Sequence, residues 1–202
     1  MASVNQFKRK FARVISTLFV PPSFTIIVFT IFAFSIESSI LKKTIVLLSA
    51  YIFGFALPIY SFLKMRKLGK ISDQDAMIKE QRTKPFLISI AYYFAGLFLL
   101  LLFEVSVVSI AFWICHITTT AIVILVNKFW KISVHSISSA GGITALFVAF
   151  GSSVLPLFIL PVLVGWTRFE LKCHSTMQII AGLFFGTLLT YLPMILLIKH
   201  FS

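Results

Sequence analysis

The chain has 202 residues, of which 59% are hydrophobic (23 are Phe) and only 12% charged. Soluble domains average about 45–50% apolar and about 25% charged, so this composition excludes a water-soluble globule, a disordered chain and a disulfide scaffold. The polar minority is lopsided, with 18 Lys+Arg against 6 Asp+Glu and a net charge of +12. Its basic residues sit in short loops between apolar runs rather than on one soluble face, which excludes a nucleic-acid binder and points to bilayer orientation, anionic headgroups or a phosphate-bearing substrate.

In chain order, residues 3–20 carry Lys8, Arg9, Lys10 and Arg13 among Phe7, Phe11, Val14 and Ile15, the spacing of a short helix lying in the membrane interface. Pro21 and Pro22 break or kink it. The basic start leads into a long apolar run with no small-residue cleavage site, so a secretory signal is not expected. Span one is expected at about 23–36 and span two at about 44–63, opened by Lys42 and Lys43. The one long polar stretch, 64–84, follows. Pro85 starts span three, Glu104 marks a turn, and span four covers about 105–126. A basic loop leads into the small-residue segment 136–150, which Gly151 to Ser153 divides from a further apolar run. The last span is expected at about 174–198. Small residues at 138–142, Gly182 and Gly186 allow close helix packing in lipid.

At roughly 30 residues per span and loop, the expectation is one all-α membrane domain over 1–202, a polytopic bundle of six to seven transmembrane helices. Counting spans puts the N-terminus and the loops at 64–84, 127–135 and 167–173 on one side. That side holds every basic residue except Lys42, Lys43 and Lys199. The positive-inside rule makes it the cytoplasmic side of a multi-pass cell-membrane protein.

The same side collects the reactive groups: Lys79, Arg82 and Lys84 from the first loop, Ser133 and His135 from the second, and Arg168, His174 and Gln178 from the third. Metal chemistry is poorly supplied. The only aspartates are Asp73 and Asp75, expected to pair with neighbouring lysines, and the four histidines are scattered. No nucleophile elbow serves a Ser–His–Asp hydrolase. What fits is metal-free phosphoryl transfer, with several cations on the phosphoryl oxygens, one imidazole as nucleophile and a second as acid. No cofactor or metal is expected. His116, deep in span four, is read as a neutral imidazole bonded to a Ser or Thr, Cys173 as incidental, and Glu170 as a candidate partner for Arg168.

These residues carry a resemblance. Thr167-Arg168, five residues, His174, three residues and Gln178 match the spacing of the S-R-x5-H-x3-D motif, with Thr for Ser and Gln for Asp. Ile132-Ser133-Val134-His135 keeps the Ser and His of a P-S-G-H motif, and Lys79, Arg82, Lys84 and Pro85 resemble the content of a K-x6-R-P motif. The stretch from about 70 to 190 thus resembles the integral-membrane type 2 phosphatidic acid phosphatases, related to vanadium haloperoxidases, in a degenerate bacterial form. The resemblance implies a lipid phosphatase acting on a lipid phosphate or isoprenyl (di)phosphate. In it His174 forms a phosphohistidine, His135 protonates the leaving oxygen, and Gln178 orients His174. Arg168, Ser133, Arg82 and Lys79 or Lys84 bind the phosphoryl group. Two rival readings are a catalytically degenerate lipid-phosphate-binding or complex subunit and a small lipid transporter or scramblase.

Overall fold

The computed structural model describes residues 2–201, with side chains from residue 6 onward. Among these the chain is helical, with no strand. The helices are α1 (Ala2–Leu18), α2 (Pro21–Ser35), α3 (Ile40–Leu48), α4 (Leu57–Lys67), α5 (Thr83–Leu102), α6 (Val107–Phe129), α7 (Val134–Phe150), α8 (Ile159–Glu170) and α9 (Thr176–Phe201). A π-helical segment (Ser49–Ala56) joins α3 to α4, and 3₁₀ segments precede α5 (Lys79–Arg82) and α8 (Gly151–Phe158).

Five helical stretches are long and apolar enough to cross a membrane, and six if α1 and α2, bent by 53° at their junction, form one span. Prolines cause that bend. Pro21 and Pro22 occupy the first positions of α2, where a missing N–H costs nothing, and Pro21 holds Val20 extended. Proline also accounts for the π segment. Pro58 cannot donate to the carbonyl four residues back and its ring crowds it; ahead of it the helix widens, and Leu57 N–H bonds to Ile52 O.

The stretch Val134–Glu170 passes the length test as one helix, but it turns back on itself at Gly151. The backbone there has φ +69° and ψ −149°, a region that only glycine enters without strain. As a result α7 packs side by side with α8, and the stretch runs out and back. Among the described residues the chain thus runs seven times between two ends. One end gathers Arg13, Asp75, Arg82, Lys131 and Arg168. At the other, Glu37 accepts from Ser106 N–H and from the Ser109 hydroxyl at the start of α6, and Lys42 donates to the Glu104 carbonyl.

Between lipid-exposed helices the hydrophobic effect gives little, so close packing has to hold the bundle. The small residues provide it. α7 and α9 run parallel and touch backbone to backbone: a Cβ on Gly182 would lie 2.7 Å from Ser133 O, and one on Gly186 would overlap the Ile137 carbonyl. Gly96 makes the niche for Trp113, whose indole N–H donates to Tyr93 O at 2.7 Å. Phe98, Phe184 and Leu196 face outward as the lipid-facing belt.

Candidate active site at the basic end

The R-x5-H spacing has a local structural cause. α8 ends in a Schellman turn: Cys173 N–H bonds to Arg168 O and Lys172 N–H to Phe169 O, with Lys172 left-handed at φ +55°. His174 N–H reaches the same Arg168 carbonyl at 3.3 Å. Five intervening residues are what it takes to close this cap and bring the His174 backbone back to Arg168. α9 then begins with a capping box. Gln178 N–H donates to Ser175 Oγ, and Gln178 Oε1 accepts from Ser175 N–H at 3.2 Å. The Ser-x-x-Gln signature in the sequence thus gives Gln178 a capping role beside the orienting one that the resemblance implies.

The capping box also settles the His174 tautomer. Gln178 Oε1 lies 3.0 Å from His174 Nδ1. Because the same atom accepts the Ser175 N–H, it is the amide oxygen and an acceptor only, so Nδ1 carries the proton. Nε2 keeps its lone pair. Burial pushes the imidazole down to a pKa of about 3, assisted by the charges of Arg82, Lys131 and Arg168 and opposed by Gln178. His174 is therefore a neutral, oriented nitrogen base, 7% exposed.

Arg168 is fully buried. Its Nη1 donates to Ser16 Oγ at 2.6 Å and to Asp75 Oδ1 at 2.8 Å, while Nε is buried without a partner among the described residues. Asp75 in turn accepts from Arg13 at 2.7 Å through its other oxygen. Burial acts to raise the Asp75 carboxyl, but Arg168 and Arg13 outweigh it and hold the group below the usual carboxylate range. These contacts correct three expectations. Asp75 pairs with arginines rather than lysines, because the 68–78 loop folds over the bundle end instead of along its own helix. Asp73 accepts backbone N–H groups of Asp75 and Met77 within that loop. The partner of Arg168 is Asp75 rather than Glu170. α1 also contributes Arg13 and Ser16 to the site, residues that lie outside the stretch carrying the resemblance and that no local pattern flagged.

The second loop is pinned to the third. Ser133 N–H bonds to the Gln178 carbonyl, and Lys131 Nζ donates to Cys173 O at 2.9 Å. Ser133 Oγ caps α7 and pairs with Ser136 Oγ at 2.9 Å, so its hydroxyl is engaged in the helix start. His135 lies one residue into the first turn of α7 and lines the same cavity as Arg168 and His174. Arg82 is buried and lines it too, with Nε on Ala76 O and Nη1 on Ile132 O. Lys79 instead donates to Lys128 O, and Lys84 is exposed; neither lines the cavity. Lys84, two residues past Arg82, points to the other side of the helix, and Lys79, although in register with Arg82 on the 3₁₀ turn, is drawn aside to Lys128 O.

The cavity has a volume of about 820 Å³. Its charged groups, Arg13, Arg66, Asp75, Arg82 and Arg168, and the imidazoles of His135 and His174 lie at the basic end, and apolar walls from α2, α4, α5 and α6 continue below them. Along α6 the lining runs from Val123 to Phe112, a depth of about 16 Å at the helical rise. The exposed lining residues Leu18, Ile27, Leu63 and Arg66 mark a mouth beside α2 and α4. α2 packs on α3, the π segment and α7, whereas α4 packs on α5 and the π segment, which leaves this side open. His116 also borders the cavity, with Nε2 at 2.9 Å from Thr25 Oγ1 and Nδ1 at 3.0 Å from Phe112 O, both nitrogens engaged as the neutral reading expected. Cys173 is buried, and burial raises its thiol pKa. Among the described residues no three His, Cys or carboxylate side chains gather as metal ligands would.

Comparison with protein-family models, curated proteins and solved structures finds no match to this chain.

Proposed function

We propose that the chain is an integral-membrane phosphatase for a lipid phosphate or isoprenyl (di)phosphate, acting through a phosphohistidine on His174. The observation that carries this reading is His174 itself. Its Nε2 has no hydrogen-bond partner among the described residues, its tautomer is held by Gln178, and it shares a cavity with Arg168 and His135 that continues into an apolar chamber. A headgroup at the basic end would lay its tail along the apolar walls, entering from the bilayer through the mouth beside α2 and α4.

In this mechanism Nε2 of His174 attacks phosphorus and the bond to the alcohol oxygen breaks. His135 gives a proton to that oxygen. Arg168 binds phosphoryl oxygens through its unspent donors. Water then attacks the phosphohistidine, His135 takes its proton, and inorganic phosphate leaves. Gln178 holds the ring but brings no charge to offset the cation on His174. The same deficit favours a second reading, a lipid-phosphate-binding protein without turnover.

The test is phosphate release from a panel of lipid phosphates by purified wild type and Gln178→Asp. A carboxylate in place of the amide adds a charge-assisted bond worth about 1–2 kcal/mol, roughly tenfold in rate. The pH profile should change as well. With a pKa of about 3, wild-type His174 stays neutral throughout pH 5–8, so its titration gives no acid limb there. An anion beside it raises that pKa, so Gln178→Asp should lose activity at a higher pH on the acid side. Release by Gln178→Asp alone would support the binder. The basic end is proposed to face the cytoplasm, to be checked by sided thiol labelling of Lys84→Cys; labelling from outside would reverse it.

A further inference from the structure

The Arg168 ion pair raises a physical question. A buried guanidinium meant for a phosphoryl group is held by a carboxylate of the same chain, and that carboxylate is shared with a second guanidinium. Asp75 Oδ1 lies 2.8 Å from Arg168 Nη1, and Asp75 Oδ2 lies 2.7 Å from Arg13 Nη1. Asp75, Arg13 and Arg168 all line the cavity. Two arginines converging on the two oxygens of one anion is the geometry by which proteins bind a phosphoryl group.

The three groups come from distant parts of the chain: α1, the 68–78 loop and the end of α8. The loop is held on either side of Asp75, by buried Ile71 and Ala76 packed with Met65, by Ala76 O accepting from Arg82 Nε and by Ser72 bonding to Gln81, so the Asp75 side chain is its movable part, whereas α1 and α8 pack along each other with the Phe11–Trp166 ring contact between them. The arginines are thus fixed on two packed helices, and the anion between them sits on a loop beside the exposed mouth residue Gln74.

We propose that Arg13 is a second phosphoryl-binding arginine of the site, and that Asp75 occupies the position between Arg13 and Arg168 that a phosphoryl group of the ligand takes when the Asp75 carboxylate swings aside. This rests on the phosphatase reading and adds to it a binding residue from the N-terminal helix and an internal competitor for the anion. Ligand binding exchanges one anion for another on the same two cations, so the arginines are never left uncompensated. It also means that the phosphoryl group must outcompete a carboxylate held at high local concentration, and affinity is lower than the bare cations would give.

Calorimetric titration of inorganic phosphate into the purified full chain in detergent tests this without requiring turnover. Asp75→Asn should bind phosphate about tenfold more tightly than wild type, and Arg13→Gln about tenfold more weakly. Arg13→Gln leaves the Arg168–Asp75 pair in place, so it keeps the test open if Asp75→Asn fails to give a cooperative melt. Equal phosphate affinity of Arg13→Gln and wild type overturns the proposal, as does a folded Asp75→Asn that binds no more tightly. Arg168→Met separates the two levels. If it loses phosphate binding while Arg13→Gln keeps it, Arg13 alone is misassigned; if wild type and Arg168→Met bind equally, the anion site and the phosphatase reading fall together.

Discussion

His174→Ala should reduce phosphate release from a lipid phosphate by at least about 10³-fold, because it removes the atom that forms the bond to phosphorus and leaves only the binding groups to act on water. The fold should survive. His174 stands before the N-cap of α9, and the capping box runs between Ser175 and Gln178 without it. Its ring makes one hydrogen bond, to Gln178, so the melting temperature should move little. The decisive companion is phosphohistidine trapping with a radiolabelled substrate, in which wild type should acquire label and His174→Ala should not. Equal release by both proteins would mean that the activity belongs to a contaminant or that another group attacks phosphorus.

Arg168→Met should act on both stability and rate. The guanidinium is fully buried and joins α8 to α1 through Ser16 and to the 68–78 loop through Asp75. Removing one partner of a buried pair costs about 3–5 kcal/mol when the remaining charge is stranded. Here Arg13 still neutralises Asp75, which places the expected loss toward the lower end of that range. In rate, loss of a preorganised donor to the phosphoryl oxygens costs about 10²–10³-fold. Arg168→Lys is the control: it restores the charge without the planar fork, so it should recover stability more than turnover. A variant that melts lower yet turns over at the wild-type rate would make Arg168 a structural ion-pair residue alone.

Much of the site was legible because its residues are local to one another in sequence. Arg168 and His174 are brought together by a helix C-cap, and His174 and Gln178 by the first turn of a helix, so spacing alone predicts their meeting. The small residues at 182 and 186 likewise announce a close helix contact, and α7 lies against them. Arg13, Ser16 and Asp75 were not legible. Arg13 reads as one more interfacial cation on an amphipathic helix, and Asp75 as one more polar loop residue, because nothing local distinguishes a solvated charge from one held across 62 or 93 positions. The displacement of Lys79 and Lys84 from the cavity was hidden for a related reason. Composition brings cations to a loop, but the direction of each depends on how the 3₁₀ turn enters α5.

The amino-acid sequence by itself determined the environment and the periodicity: apolar runs too long and too numerous for water, loops whose basic residues fall on alternate turns of the chain, and caps and prolines that place each helix end. Those follow from solvation and backbone sterics, which act over a few residues. Only the tertiary structure decided that the side between α2 and α4 is left open, that α1 packs against α8, and that an aspartate rather than solvent neutralises the buried arginine. Each of these depends on which helix packs against which, a choice made by shape and charge between segments far apart in the chain, and no local pattern encodes it.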